Sequence, residues 1–225
     1  MTTEIEYCKS VIKSIDDDLV RAQYSLGIYV AARNNEGKVL PNIVDALKVN
    51  SRTAPNRVLI FNHIDLIHQQ DVALTIVRMM DTNRSTNSFS VLSKKAKSMR
   101  EELIEEAENQ YLQADLDEGI KRLQQEYVKK QKERIDNFIM LEKSLRISDE
   151  YKKIKHLRNE VLAHRSTKPR SSKANIEMVK FCLEKLEHLL LLAYGIFLNT
   201  DYQPCSGYIY AIKDAEKFWS LITDR

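Results

Sequence analysis

The sequence predicts an all-α protein, on three observations. Apolar residues recur at three- and four-residue spacing through most of the chain, the period of a helix with one buried face. Five glycines and four prolines interrupt 225 residues, too few breakers for a fold of many short strands. No segment reads convincingly as a strand. With 43% hydrophobic and 30% charged residues, the composition is that of a globular chain and not a disordered one. A chain of this length buries roughly 70% of its unfolded surface, so a full core is available. One domain spanning residues 1–225 is expected.

The first helix is expected over residues 4–33, on the series Ile5, Cys8, Ile12, Ile15, Leu19, Ala22, Leu26, Tyr29 and Val30. Asn34-Asn35-Glu36-Gly37 reads as its stop, because these residues tolerate the left-handed conformation. A short helix around Ile43–Val49 follows. The break Ser51–Pro55 comes next, with Pro55 suited to a first helical turn. An amphipathic helix over 56–80 carries Val58, Phe61, Ile64, Ile67, Val72, Ile76 and Met79. Asp81–Asn87 is a polar loop, and Ser88–Met99 a helix of about ten residues.

Residues 100–145 hold one glycine, Gly119, and no proline. Leu103, Ala107, Tyr111 and Ala114, then Ile120, Leu123 and Tyr127, predict a long helix or a projecting hairpin with a break near Asp115–Gly119. Ser148-Asp149-Glu150 is a capping start for the next helix. A loop over Thr167–Lys173 leads to a strongly apolar helix at 174–199, and a last helix lies at about 206–222.

Several function classes are disfavoured. A net charge of +3 does not by itself mark a nucleic-acid binder. Cys8, Cys182 and Cys205 form no CxxC pair and no even framework, so reduced thiols in the cytoplasm are expected. The acidic N-terminus lacks an apolar signal core. The longest apolar run, Leu189–Leu198, is about half of the roughly 20 residues that span a bilayer, and reads as a buried helix. No Gly-rich phosphate loop, Gly-x-Ser-x-Gly or His-Glu-x-x-His pattern occurs. His63 and His68, with Asp65 and Asp71 nearby, are five residues apart and face different ways, His188 reads as a core-edge residue, and Tyr202, Tyr208 and Tyr210 can stack bases but read first as packing residues. No metal and no cofactor is expected.

The charge distribution is more informative. Residues 101–118 carry eight acids and no base, whereas residues 148–173 carry eight bases against three acids. Within the basic stretch lies HLRNEVLAHRS, residues 156–166. On a helix His156, Glu160 and His164 form one stripe, with Arg158 about 120° from His164. A solvated polar face accounts for such a pattern. A metal stripe fits poorly, because its ends lie about 12 Å apart and one ion cannot reach both.

Ribonuclease chemistry also fits. RNA carries its own nucleophile, the 2′-hydroxyl. Cleavage then needs a base of near-neutral pKa, which His164 offers. It needs a cation on the phosphate as charge builds, which Arg158 offers bidentately. Asn159 adds a hydrogen bond. Lys155, Arg165, Lys168 and Arg170, with Lys152, Lys153 and Lys173 around them, form a basic collar for a phosphate backbone.

The segment RNEVLAHRS resembles the R-x4–6-H signature of the HEPN superfamily, with a polar residue directly after the arginine. The chain is also similar to the abortive-infection U-type branch. Residues 75–97, TIVRMMDTNRSTNSFSVLSKKAK, match that branch's apolar helix ending in a Met-x-Asp turn before a short Ser-started helix. The resemblance implies a helical bundle that forms a homodimer, with two copies of the motif facing one cleft. It implies a defence or toxin endoribonuclease that cuts RNA without metal and leaves a cyclic phosphate. His164 would be the acid/base and Arg158 the phosphate clamp, with Asn159 at the polar position. Glu160 and His156 stand as supporting candidates, and an antitoxin or regulatory partner is compatible with the scheme. Some members carry a tyrosine two residues after the histidine, where a nucleotidyltransferase acts. Here that position is Ser166, so this form of control is not implied. The rival reading is a non-catalytic helical protein that binds RNA or a partner and assembles through residues 100–145.

Overall fold

The computed structural model describes residues 2–46, 54–109, 118–163, 175–200 and 210–217, with side chains for 4–31, 67–109, 118–159, 175–200 and 210–217. The described residues form eight helices and no strand: α1 (Thr2–Ala46), α2 (Ala54–Met79), α3 (Phe89–Ser98), α4 (Arg100–Asn109), α5 (Glu118–Ile147), α6 (Asp149–Ala163), α7 (Ile176–Phe197) and α8 (210–217). The all-α reading therefore holds.

α7 lies against both α1 and α5, and α2 lies between α1 and α6. Its sequence dictates that placement. Val179, Cys182, Leu183, Leu186, Leu189, Leu190, Ala193 and Ile196 are all buried, so α7 is apolar around most of its circumference and needs neighbours on several sides. The apolar run 189–198 is thus core helix. No helix among the described residues is long and apolar enough to cross a membrane. Asn175 caps the start of α7, its side chain accepting from the Glu177 N–H at 3.1 Å. Asn199, with φ 53°, follows its end in the left-handed conformation that asparagine tolerates.

α1 buries the expected stripe, Cys8, Ile12, Ile15, Leu19, Ala22 and Leu26, together with Val11. Its length corrects the sequence reading. The helix neither stops at Asn34–Gly37 nor gives way to a separate one near Ile43, but runs on to Ala46. Asparagine and glycine cost a helix only about 1 kcal/mol or less each. Extending a formed helix past them adds a hydrogen bond per residue, whereas starting a second helix requires a new nucleus. Even Pro41 is carried within the helix; it withholds one N–H, whose acceptor would be the Gly37 carbonyl.

α2 and α3 match their expected bounds. Ser88 is the N-cap of α3, accepting from the Val91 N–H, and its hydroxyl also donates to the Asp81 carbonyl at 2.7 Å. Along α2, Val72, Ile76 and Met79 are buried, but Ile67 is 48% exposed and does not belong to the core face.

The acidic α4 and the charged α5 form a hairpin. Arg100 Nη2 donates to Asp136 Oδ2 at 2.9 Å, and Gln124 Nε2 donates to the Glu108 carbonyl at 2.8 Å. These two pairs fix an antiparallel register. The hairpin does not stand away from the bundle along its length, because Ile135, Phe138 and Leu145 are core residues against α3 and α7. Phe138 meets Phe89 edge to face, with centroids 6.3 Å apart. Leu123, expected on the apolar face, is instead 59% exposed.

α8 packs against α1 at a glycine. A Cβ on Gly27 would lie 2.6 Å from the Ala211 Cβ, closer than two carbons can approach. Gly27→Ala is therefore expected to destabilise by about 1–3 kcal/mol, the usual cost of overpacking. Chemical denaturation would show this as a lowered midpoint at unchanged slope.

Cys8 and Cys182 are buried and unpaired. Burial pushes the Cys8 thiol up to about 11 and the Cys182 thiol up to about 12. Neither supplies thiolate at neutral pH, so neither is a nucleophile. Cys205 lies outside the described residues. Of the other residues weighed from sequence, His188 is exposed and Tyr210 is 54% exposed. His188 is thus a surface residue, and Tyr210 packs only in part.

Candidate active site

The helix that carries the signature starts where the sequence placed it. The Ser148 hydroxyl accepts from the Tyr151 N–H at 3.2 Å and caps α6. Tyr151, Ile154 and Leu157 are then buried at three-residue spacing against the bundle. This fixes the rotation of α6. Arg158, next to Leu157, comes out half-buried at the edge of the groove between α2 and α6, while Lys152, Lys153, Lys155, His156 and Asn159 are exposed.

Arg158 opens into a cleft of ≈ 380 Å³ lined by Arg21, Asp71, Thr75, Arg78 and Asp81. Its Nη1 donates to Asn159 Oδ1 at 3.2 Å, so the residue following the arginine holds the guanidinium. The other two arginines are paired. Arg21 Nη2 meets Asp71 Oδ1 at 2.6 Å, and Ser25 donates to the second Asp71 oxygen at 2.7 Å. Arg78 pairs with Asp18. Burial raises the Asp18 pKa, and the two arginines only partly offset it. Burial also raises Tyr151, with Arg146 and then Arg158 pulling the other way. The Arg158 charge thus acts inside the groove. Arg158 makes no ion pair among the described residues.

The structure separates the sequence candidates. Arg158 and Asn159 stand together at the cleft. Lys155, three residues earlier, lies about 60° around the helix from Arg158 and can extend the cationic edge. His156 lies about 160° away, on the opposite side of α6, and is not brought to the cleft. Glu160 is on α6, with its side chain outside the described residues. His164, Arg165, Lys168 and Arg170 also lie outside them.

Sequence reasoning gave no role to Arg21, Arg78 and Asp81, and none to Asp71. One signal was present. Asp71, Thr75 and Arg78 follow i, i+4, i+7 spacing, a polar stripe along the C-terminal half of an amphipathic helix. Arg21 had none, since only the packing of α1 on α2 brings it there.

A helical bundle, with no strand among the described residues and an Arg-Asn pair held at a charged interhelical cleft, has the features of a HEPN domain. The chain belongs to the AbiU2 family of HEPN proteins, whose family model matches residues 33–218. That span takes in α2 to α7 and the whole Arg158–His164 segment. Membership brings the nuclease and abortive-infection associations of that family. No curated protein and no solved structure matches the chain.

Proposed function

We propose that the protein is a metal-independent endoribonuclease of a defence or toxin type, acting in the cytoplasm as a homodimer. The observation that carries this reading is Arg158 at the edge of a charged cleft, its guanidinium hydrogen-bonded to Asn159, in a chain of the HEPN class. Arg158 binds the scissile phosphate with a two-pronged contact that strengthens as charge accumulates on the non-bridging oxygens. His164 removes the 2′-hydroxyl proton. The 2′-oxygen forms a bond to phosphorus and the bond to the 5′-oxygen breaks. The leaving oxygen takes a proton from the His164 of the partner subunit. The products are a 2′,3′-cyclic phosphate and a 5′-hydroxyl. Lys155, Arg165, Lys168 and Arg170 attract the RNA backbone. An antitoxin or another regulator would restrain the activity by covering this edge.

The rival reading, assembly of a non-catalytic protein through residues 100–145, has less to draw on. α4 and α5 bury Leu103, Ile104, Ala107, Ile135, Phe138 and Leu145 on each other and on the bundle. The direct test is incubation of purified protein with total cellular RNA in EDTA. The expected result is cleavage, with 5′-hydroxyl ends that accept kinase labelling directly and 3′ ends that resist ligation until the cyclic phosphate is removed. Cleavage that stops on chelation would overturn the metal-independent scheme.

A further inference from the structure

A second cleft lies on the far side of the Asp81–Asn87 loop. It measures ≈ 610 Å³ and is lined by Glu4, Tyr7, Arg84, Lys94 and Lys95, among others. Its charge is unbalanced. Lys95 Nζ meets Glu4 Oε1 at 2.7 Å, which uses the single acid. Arg84 and Lys94 remain as exposed cations, and among the described residues Lys94 Nζ donates to the Thr82 carbonyl at 3.3 Å. Tyr7, 38% exposed, presents an aromatic ring in the same cleft. Cations beside an open aromatic ring suit a nucleotide strand, whose phosphates need charge and whose bases need a stacking face. The volume lies within the roughly 300–1,000 Å³ of small-molecule sites, enough for a nucleotide.

The two clefts share a loop. Asp81 lines the Arg158 cleft and Arg84, three residues on, lines this one. Along α1, Tyr7 serves one and Arg21 the other. Fourteen residues of helix put them about 21 Å apart and within about 40° of the same face. A stacked strand covers that distance with about six nucleotides at ~3.4 Å each.

We propose that single-stranded RNA runs along this face of α1, from Arg158 across the Asp81–Asn87 loop to the second cleft, where Arg84 and Lys94 hold phosphates and Tyr7 stacks a base. The inference rests on the ribonuclease reading for its starting point at Arg158, and it adds a binding subsite remote from the chemistry. The carboxylates of the Arg158 cleft balance its arginines, so the second cleft supplies more of the net electrostatic attraction.

The test uses 2′-O-methyl oligonucleotides, which lack the nucleophile and report binding without cleavage. Fluorescence anisotropy of four- and eight-nucleotide oligomers on the full chain is expected to show affinity rising at least about tenfold as both clefts are bridged. In Arg84→Glu/Lys94→Glu that rise should vanish, and the slope of log affinity against log salt should fall by about 1.4 for two lost phosphate contacts. Tyr7→Ala should cost roughly tenfold on the longer oligomer, within the range of one lost base stack. Arg84→Lys/Lys94→Arg keeps both charges and should bind as the parent, which separates charge from misfolding. Equal affinity for both lengths, or a length effect that survives the charge reversal, overturns the path. Cleavage by the parent with no such effect would sink this subsite and leave the ribonuclease standing. A length effect without any cleavage would do the reverse.

Discussion

His164→Ala is expected to slow RNA cleavage by about 10²–10⁴-fold, the usual contribution of a positioned general acid or base. If both subunits contribute a histidine, the substitution removes the acid and the base together, and the loss lies at the upper end. Arg158→Ala should cost about 10²–10³-fold, as for loss of a preorganised charge at the transition state. Arg158→Lys is the sharper variant. It keeps the charge but loses the planar fork that reaches phosphate and Asn159 together, so it should recover only a small part of the rate. Initial rates on a fluorogenic RNA in EDTA, with circular dichroism as a check on folding, decide the matter. A His164→Ala protein that is folded and cuts at the parental rate would remove the catalytic scheme. Arg158 lies at the edge of the core and not within it, so its loss should leave the melting temperature almost unchanged.

The parts of this site legible in sequence are those set by one helix. Ser148 caps α6, and the Tyr151, Ile154 and Leu157 spacing turns Arg158 to the groove; both follow from a 3.6-residue period and a capping residue. What joins Arg158 there was not legible. Arg21 and Asp71 are fifty residues apart and meet through the packing of two long helices. Sequence spacing carries no record of such a meeting. The same limit explains α1. Its buried stripe was plain from Cys8 to Leu26, but its end was not, because Asn34–Gly37 carries a local preference that helix propagation overrides. In the α4–α5 segment the apolar period marks buried residues at Leu103 and Ala107 but an exposed one at Leu123. Charged residues dominate both faces there, and only the bundle shows that the core begins at Val128.

Arg146→Ala is expected to destabilise the protein by about 3–5 kcal/mol, the range found when one partner of a buried ion pair is removed. Glu142 is the buried partner, with 8% of its side chain exposed against 29% for Arg146. Arg146 contacts both Glu142 and Ser90, and the Ser90 hydroxyl lies 3.0 Å from Glu142 Oε1 and 3.1 Å from the Met80 carbonyl. Without Arg146 the carboxylate keeps one hydroxyl for company in an apolar interior. Glu142→Ala should cost less, since the more exposed guanidinium can turn to water. The double variant Arg146→Met/Glu142→Leu, which removes both charges and retains bulk, should regain most of the loss. Urea titrations of the parent, the two alanine variants and Arg146→Ala/Glu142→Ala give the coupling directly, and a loss below about 1 kcal/mol for Arg146→Ala would show that water already reaches the carboxylate. The network also joins α5 to the start of α3 and to the end of α2, where the Asp81–Asn87 loop begins. Ser88 donates to the Asp81 carbonyl only two residues from Ser90. A loosened Arg146 network should therefore shift Asp81, a wall of the Arg158 cleft, and reduce RNA cleavage in protein that is still folded.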